Sequence, residues 1–151
     1  MTKYINGKRV CARAITFIDN KILLIERFRK TDTEMLHYFT IPGGGVEDDE
    51  EYSETAIRET KEETCCDIKI IKYLMEEDYG EGLCEWFYAK YLSGTPELGG
   101  EEKVRNNPDN SFKVVLIDMK DIDNINILGI GKKLVKECYK EYLSDIENNN
   151  L

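Results

Sequence analysis

The chain has 151 residues, with 30 aspartates and glutamates against 21 lysines and arginines, for a formal net charge of −9. This length indicates a single domain spanning residues 1–151, large enough to fold around its own core. The negative charge argues against non-specific binding to nucleic acids or anionic membranes. The sequence has no apolar signal segment at its start and no apolar run long enough to span a membrane, so we expect a cytoplasmic location.

The cysteines are odd in number and form no C-x-x-C pair. The pattern favours free, mostly buried thiols in a reducing compartment over a disulfide framework or a zinc site. They stand at Cys11, Cys65, Cys66, Cys84 and Cys138.

The first predicted elements are strands. Residues 10–18 and 22–28 are rich in β-branched and other apolar side chains, and Asp19-Asn20 between them predicts the turn of a hairpin. A short strand at 36–41 stops at Pro-Gly-Gly-Gly, residues 42–45. Three consecutive glycines predict positive φ angles and a close approach of the backbone to a ligand.

The middle of the chain predicts a helix followed by two strands. Residues 51–64 contain good helix formers and neither proline nor glycine. Residues 68–75 and 83–92 read as strands on either side of a turn at 79–82.

The last third begins with a predicted loop at 94–110. At 17 residues it is long for a passive connection, which indicates a functional loop. A strand at 111–117 and an amphipathic helix at about 130–147 follow, and asparagines occupy 148–150. Together the elements predict an α+β fold, with a mixed β-sheet between helices in an α/β/α sandwich.

Acidic side chains are concentrated around the middle helix. Between Glu47 and Glu63 there are nine acids and two bases, so this segment carries −7 of the net −9. Glu59, Glu62 and Glu63 stand at i, i+3 and i+4 on one helix face, where like charges repel. A bound divalent cation such as Mg²⁺ would offset this repulsion. The alternative interpretation is a solvated acidic helix.

The spacing of these residues resembles the Nudix box, G-x5-E-x7-R-E-U-x-E-E-x-G-U with U aliphatic. The matching positions are Gly44, Glu50, Arg58, Glu59, Glu62 and Glu63. The chain departs from the pattern at Thr60, Cys65 and Cys66, where the family has an aliphatic residue, glycine and an aliphatic residue. Cysteine at the helix-ending glycine position would cost roughly 1 kcal/mol of backbone strain, or the helix ends differently. A weaker resemblance covers most of the chain.

The resemblance implies a MutT-like pyrophosphohydrolase with the α/β/α Nudix fold. Such enzymes hydrolyse a nucleoside diphosphate linked to another moiety X, by attack of water on phosphorus. Mg²⁺ would be the cofactor, with Mn²⁺ as a substitute, and the partner would be a small nucleotide. Dimers occur in the family, so a homodimer is an open expectation.

Carried over position by position, the resemblance also implies roles for the box residues. Glu59, Glu62 and Glu63 would bind the metal, with the Gly44 carbonyl as a further ligand. Arg58 would orient the carboxylates through charge-assisted hydrogen bonds. Glu50 would help to position the loop and helix, as would the glycines that flank Gly44, namely Gly43 and Gly45.

The general base and the substrate contacts are less defined. Glu59 is one candidate base; in some family members the base lies on a downstream loop, and Glu102 and Glu101 are the candidates there, with surface solvation as the alternative. Arg27 and Arg29 are candidate phosphate contacts, with exposed salt bridges as the alternative. Aromatic rings are candidate base contacts or core residues, chiefly Phe39, and also His37, Tyr38, Trp86, Phe87 and Tyr88.

Two alternative functions remain open. A non-catalytic nucleotide-binding Nudix module would usually lack box carboxylates, and this sequence has all of them. A prenyl-diphosphate isomerase with the Nudix fold would need a catalytic cysteine outside the box, for which Cys84 is a candidate.

Overall fold

The computed structural model describes residues 1–148, so the last two asparagines of the sequence, at 149 and 150, lie outside the described part. The strands are β1 Tyr4–Ile5, β2 Lys8–Ile18, β3 Lys21–Lys30, β4 Met35–Thr40, β5 Gly43–Gly45, β6 Asp67–Asp78, β7 Gly82–Ser93 and β8 Asn110–Asp118. The helices are α1 Tyr52–Thr64, α2 Gly100–Arg105 and α3 Gly131–Glu147, with a 3₁₀ helix at Met119–Asn124.

Within the described residues the strands form one mixed sheet in two parts. In the first part β2 pairs with β7 in parallel and with β5 in antiparallel orientation, and β6 pairs with the outer edge of β7. In the second part β3 lies between β4 and β8, antiparallel to both. The two parts join at the end of β2, where the predicted hairpin turn is confirmed: Asp19 and Asn20 have φ angles of 51° and 66°.

Helix α1 packs on one face of the sheet through small side chains. Ala56, Thr60 and Thr64 of the helix are fully buried, and they face strand β2, which presents Ala12 and Ala14. Small residues on both sides allow the helix and sheet backbones to approach closely. The helix begins with a capping box in which Glu51 and Glu54 each accept a hydrogen bond from the other's backbone N–H.

Helix α3 packs on the opposite face and completes the sandwich. Its buried stripe contains Leu134, Val135, Cys138 and Tyr142. They pack in a core that takes side chains from both parts of the sheet, such as Ile15 of β2 and Phe39 of β4. The predicted α+β fold, a mixed sheet between helices, is confirmed.

Three local features differ from the sequence predictions. The triple glycine forms strand β5, and none of its residues has a positive φ angle, so the prediction of positive φ angles there is wrong. The segment predicted as a loop at 94–110 contains helix α2. The short strand β1 and the 3₁₀ helix were not predicted, since both are too short to show a hydrophobic period.

None of the described helices has the length and apolar character needed to cross a membrane. All five cysteines are free thiols.

Candidate functional site

The triple glycine is explained by crowding. Strand β5 lies against β2, with Gly44 opposite Ala12. A β-carbon on Gly43 would lie 2.3 Å from the Ala12 carbonyl oxygen, and one on Gly44 would lie 2.4 Å from Cδ of Glu59. Only glycine therefore leaves room for β2 and for the Glu59 carboxylate at this strand.

Arg58 connects the carboxylates of the box. Its Nε and Nη2 donate to the two oxygens of Glu50 at 2.7 and 2.9 Å, a bidentate pair. Nη1 lies 3.0 Å from Glu59 Oε1 and 3.3 Å from Glu62 Oε2, and Nη2 donates to the Gly45 carbonyl at 3.2 Å. The hydrogen bonds that Glu50 accepts, chiefly those from Arg58, lower the pKa of Glu50 to about 2. Arg58 therefore connects helix α1 with strand β5 and with the loop that carries Glu50.

Glu63 is the most buried carboxylate of the group, with 8% of its surface exposed. Its Oε1 accepts a hydrogen bond of 2.8 Å from the Gly43 N–H. The pKa of Glu63 is raised to about 8, chiefly by burial and to a smaller extent by Glu102 and Glu59, whereas Gly43 and Arg13 act against the rise. Burial also raises the pKa of Glu59. Acidic side chains are thus crowded here without enough hydrogen-bond and cationic partners to stabilise all of them as carboxylates.

Helix α2 brings Glu102 to this group. The segment before α2 is fixed to the end of α1 by hydrogen bonds from Gly99 N to Glu63 O, 3.1 Å, and from Glu97 N to Thr64 O, 3.0 Å. Glu102 is near enough to raise the pKa of both Glu59 and Glu63, and its carboxylate is paired with Arg105 at 3.1 Å.

Glu101 and Glu62 are more open than these carboxylates. Glu101 is exposed, and Glu62 has half of its side chain exposed. Within α2, Glu102 is therefore the acid that approaches the box.

Sequence reasoning missed Arg13 and the cavity beside it. Arg13 Nη1 donates to the Ile41 carbonyl at 2.6 Å, just before β5, and its charge acts on Glu63. On its other side lies a cavity of about 260 Å³, walled by Ile41 and Trp86 among others. One signal was available: Arg13 is the single charged residue in the segment 10–18, where its neighbours on the same face are apolar.

Comparison with known proteins decides the family. The NUDIX domain family matches residues 7–136. The chain belongs to the Nudix family. The prediction of a Nudix hydrolase is therefore confirmed at the level of the family. No curated protein sequence matches this chain.

Solved structures of Nudix proteins share the fold. A Nudix-family hydrolase from Clostridium perfringens has a TM-score of 0.67 at 14% identity, covering 88% of this chain and 97% of the other. A MutT Nudix hydrolase from Burkholderia pseudomallei has a TM-score of 0.64 at 23% identity, covering 86% and 96%. An ADP-ribose pyrophosphatase from Streptococcus suis has a TM-score of 0.59 at 17% identity, covering 88% and 90%.

The Nudix box helix ends as its pattern requires, although the glycine is replaced. Cys65 adopts the left-handed conformation, φ 63° and ψ 17°, and its N–H donates to the Lys61 carbonyl. The helix therefore ends in the left-handed conformation that favours glycine, and the chain tolerates the strain of a side chain at this position.

The donors at the Nudix box suit a hard cation. In residues 1–148 no three His, Cys, Asp or Glu side chains converge into a ready-made metal cage. The donors present are carboxylate oxygens, and the missing β-carbon of Gly44 leaves the room that the Glu59 carboxylate occupies. Such a site fits Mg²⁺, which takes one or two carboxylates and completes its shell with water and substrate phosphates.

The remaining predicted contacts lie apart from the Nudix box carboxylates. Phe39 is 5% exposed and packs in the core under α3. His37 stacks on Phe28 at 4.1 Å and pairs with Glu26. Cys84 is buried opposite Cys11 on the neighbouring strand.

Arg27, like the exposed Arg29, is a phosphate-contact candidate that remains open to solvent. It is half-buried on β3, where its guanidinium lies 3.8 Å from the ring centre of Phe112.

Proposed function

We propose that this chain hydrolyses the pyrophosphate linkage of a nucleoside diphosphate joined to another moiety, in a reaction that depends on Mg²⁺. The observation that carries the proposal is the gathering of Glu59, Glu63 and Glu102 near β5, with Arg58 bound to Glu59 and to the loop. A group of acids that repel one another and are held by backbone and guanidinium contacts is suited to a cation and its phosphate ligand.

We assign the metal ligands as Glu59, Glu62 and Glu63, with the Gly44 carbonyl as a further ligand. Mg²⁺, or Mn²⁺ in its place, would neutralise the pyrophosphate and lower the pKa of the attacking water. The raised pKa values of Glu59 and Glu63 support this assignment, because a bound cation would stabilise both as carboxylates.

Arg58 and Glu50 act as positioning residues in this proposal. The bidentate Arg58–Glu50 pair fixes the guanidinium, and the guanidinium in turn fixes the Glu59 side chain. Glu63 is oriented separately, through the Gly43 N–H. The ligands are thereby pre-organised before substrate binds, which reduces the reorganisation needed in the transition state.

We further propose Glu102 as the general base that accepts the proton of the attacking water. Glu59 already accepts a hydrogen bond from Arg58 and is assigned to the metal, whereas Glu102 lies on a separate element facing the same group. If Glu102→Gln leaves the rate intact while Glu59→Gln abolishes it, this assignment is wrong. Loss of activity in Glu101→Gln would assign the base to the neighbouring acid instead.

The hydrolase proposal is tested on a substrate panel with Mg²⁺, measuring the nucleoside monophosphate and the second phosphorylated product that hydrolysis releases. The panel includes ADP-ribose, because one neighbour carries that activity in its name, and also sugar nucleotides, nucleoside triphosphates and dinucleoside polyphosphates. We expect turnover, with a loss of about 100-fold or more in Glu62→Gln and Glu63→Gln. Glu137→Gln on α3 is the matched control. Absence of turnover on every member, or turnover unchanged by both box variants, would overturn the proposal.

The alternatives make different predictions in the same assay. A non-catalytic nucleotide-binding module would bind members of the panel without hydrolysing them. A prenyl-diphosphate isomerase would act on a substrate without a nucleoside and would depend on Cys84, which lines the cavity beside Arg13. A homodimer and a cytoplasmic location remain predictions, and the five free thiols are consistent with a reducing compartment.

A further inference from the structure

A second charged cluster lies on the face of the sheet where β3 runs between β4 and β8. Three of the six arginines of the chain belong to it: Arg27 and Arg29 alternate along β3, and Arg105 ends α2. In a protein with a net charge of −9, half of the guanidinium groups therefore stand in one region. We call these three side chains the arginine cluster.

The cluster is built on buried aromatic rings. Arg27 lies opposite Tyr38 on β4 and opposite Phe112 on β8, and its guanidinium carbon is 3.8 Å from the Phe112 ring centre. Arg105 stands 5.5 Å from the centre of the same ring. Both rings are less than a tenth exposed, so the guanidinium groups rather than the ring faces meet the solvent. The geometry therefore favours an anion over a stacked nucleobase.

Arg27 is held in place by hydrogen bonds, but the cluster is short of negative partners. Arg27 donates through Nε to the Ser111 carbonyl at 3.2 Å and through Nη2 to Asn110 Oδ1, which are both neutral acceptors. In the described part of the chain neither Arg27 nor Arg29 forms an ion pair, and Arg105 pairs only with Glu102. Arg29 and Arg105 both lower the pKa of Arg27, although its burial has the larger effect. Positive charge is thus gathered without matching acids, and an anion would relieve the repulsion.

The cluster adjoins the Nudix box through one side chain. Glu102 pairs with Arg105 at 3.1 Å, and the residue before α2 is bonded to the end of α1, with Gly99 N donating to the Glu63 carbonyl at 3.1 Å. The charge of Glu102 acts on Arg27 as well as on Glu59 and Glu63. An anion on the arginine cluster would therefore lie beside a pyrophosphate held at the box. Within one substrate, the group that fits both places is a further phosphate of the same chain.

We propose that the arginine cluster binds a phosphate beyond the scissile pyrophosphate, so that the preferred substrates carry three or more linked phosphates. Nucleoside triphosphates and dinucleoside polyphosphates belong to this class, whereas ADP-ribose and sugar nucleotides do not. The statement about substrates rests on the proposed function, but the binding of an anion to the arginine cluster can be measured without turnover.

The binding test uses inorganic tripolyphosphate and pyrophosphate as probes, titrated with Mg²⁺ into the whole protein by calorimetry. We expect tripolyphosphate to bind more tightly, and Arg29→Gln and Arg105→Gln to weaken it about tenfold while changing pyrophosphate binding less than twofold. Lys140→Gln, an exposed α3 residue, makes the same change in net charge and should bind both probes as the wild type does. Arg29 is exposed, so its variant should fold normally, which the thermal unfolding midpoint checks.

Three outcomes would overturn the inference. The first is equal affinity of the wild type for the two probes, and the second is an advantage of tripolyphosphate that survives in both arginine variants. The third comes from a titration with inorganic phosphate alone: if it binds as tightly as tripolyphosphate and is lost in the variants, the cluster holds a free anion rather than a substrate phosphate.

The kinetic test separates this inference from the proposed function. On the panel substrates we expect KM to rise about tenfold in Arg29→Gln for triphosphates and dinucleoside polyphosphates, with kcat nearly unchanged. If the probes bind as expected but no nucleotide is hydrolysed, the anion site stands and the hydrolase proposal fails. If nucleotides are hydrolysed but the arginine variants bind both probes and act on all substrates as the wild type does, this inference fails and the hydrolase proposal stands.

Discussion

At the scale of single residues, the glycine positions of the Nudix box have two different physical requirements. Gly44 has an ordinary φ angle, and glycine is needed there because the Glu59 carboxylate occupies the space of a β-carbon. At Cys65 the space is available but the backbone is left-handed, which is the conformation that glycine adopts without strain. Each requirement leads to its own prediction.

Gly44→Ala should displace the Glu59 carboxylate while leaving the fold intact. A β-carbon would lie 2.4 Å from Cδ of Glu59, so the side chain must move away from its position beside Arg58. We expect a loss of about 100-fold in kcat/KM, measured on the best panel substrate, with little change in unfolding free energy. Gly45→Ala is the comparison: its β-carbon meets the flexible end of Arg9, and the loss should be much smaller. Equal losses in the two variants would contradict this explanation.

Cys65→Gly should stabilise the protein. Removing the side chain relieves the left-handed strain, and the net gain is about 0.5 kcal/mol after the greater flexibility of unfolded glycine is subtracted. Urea denaturation measures the free energy of unfolding. Cys65→Ala keeps the strained backbone and should show no such gain, so an equal gain in both variants would trace the effect to the thiol instead.

At the scale of elements, the site is made by the contacts of β5, α1 and α2. Helix α1 was predicted to within one residue, because its start, its lack of breakers and its acidic face are local properties of the sequence. Helix α2 was not predicted: it has six residues, Gly100 opens it with a φ of 62°, and contacts with α1 hold it. A short helix held by docking leaves little trace in sequence periodicity.

The Arg58–Glu50 contact, which joins α1 to the loop before it, should make stability depend on pH. Because the folded pKa of Glu50, about 2, lies below its reference value of 4.5, the contribution is complete above about pH 4.5 and is lost as the pH falls toward 2. We expect the wild type to lose roughly 2 kcal/mol more than Glu50→Gln over this range, after solvent screening is considered. Urea denaturation of both proteins at a series of pH values measures the difference. Parallel pH profiles would show that the pair contributes no stability.

At the scale of the whole molecule, the net charge of −9 is unevenly distributed. The segment from Glu47 to Glu63 carries −7 of it, and the arginine cluster lies near that segment. The negative charge that repels a phosphate group is therefore concentrated at the Nudix box, and a cation bound there would reverse the sign of the local field.

Mg²⁺ should accordingly stabilise the folded chain. At a concentration one hundred times its dissociation constant, a cation that binds only the folded state adds about 2.7 kcal/mol, a rise of roughly 5 to 10 °C in Tm for a domain of this size. Thermal unfolding with and without MgCl₂ measures the shift, with NaCl at equal ionic strength as control. The shift should shrink in Glu63→Gln. An equal shift with NaCl, or an undiminished one in that variant, would show ionic screening rather than a site.

Sequence alone determined the box carboxylates, the helix that carries them and the alternation of strands and helices, because these depend on residue spacing within a few turns. Only the tertiary structure decided that the glycines form a crowded strand, that Arg13 lies between Glu63 and a cavity, and that Glu102 rather than Glu101 approaches the box. The same is true of the arginine cluster, whose members are 76 residues apart between Arg29 and Arg105. Burial, crowding and electrostatic coupling arise when distant segments pack together, and sequence spacing does not encode them locally.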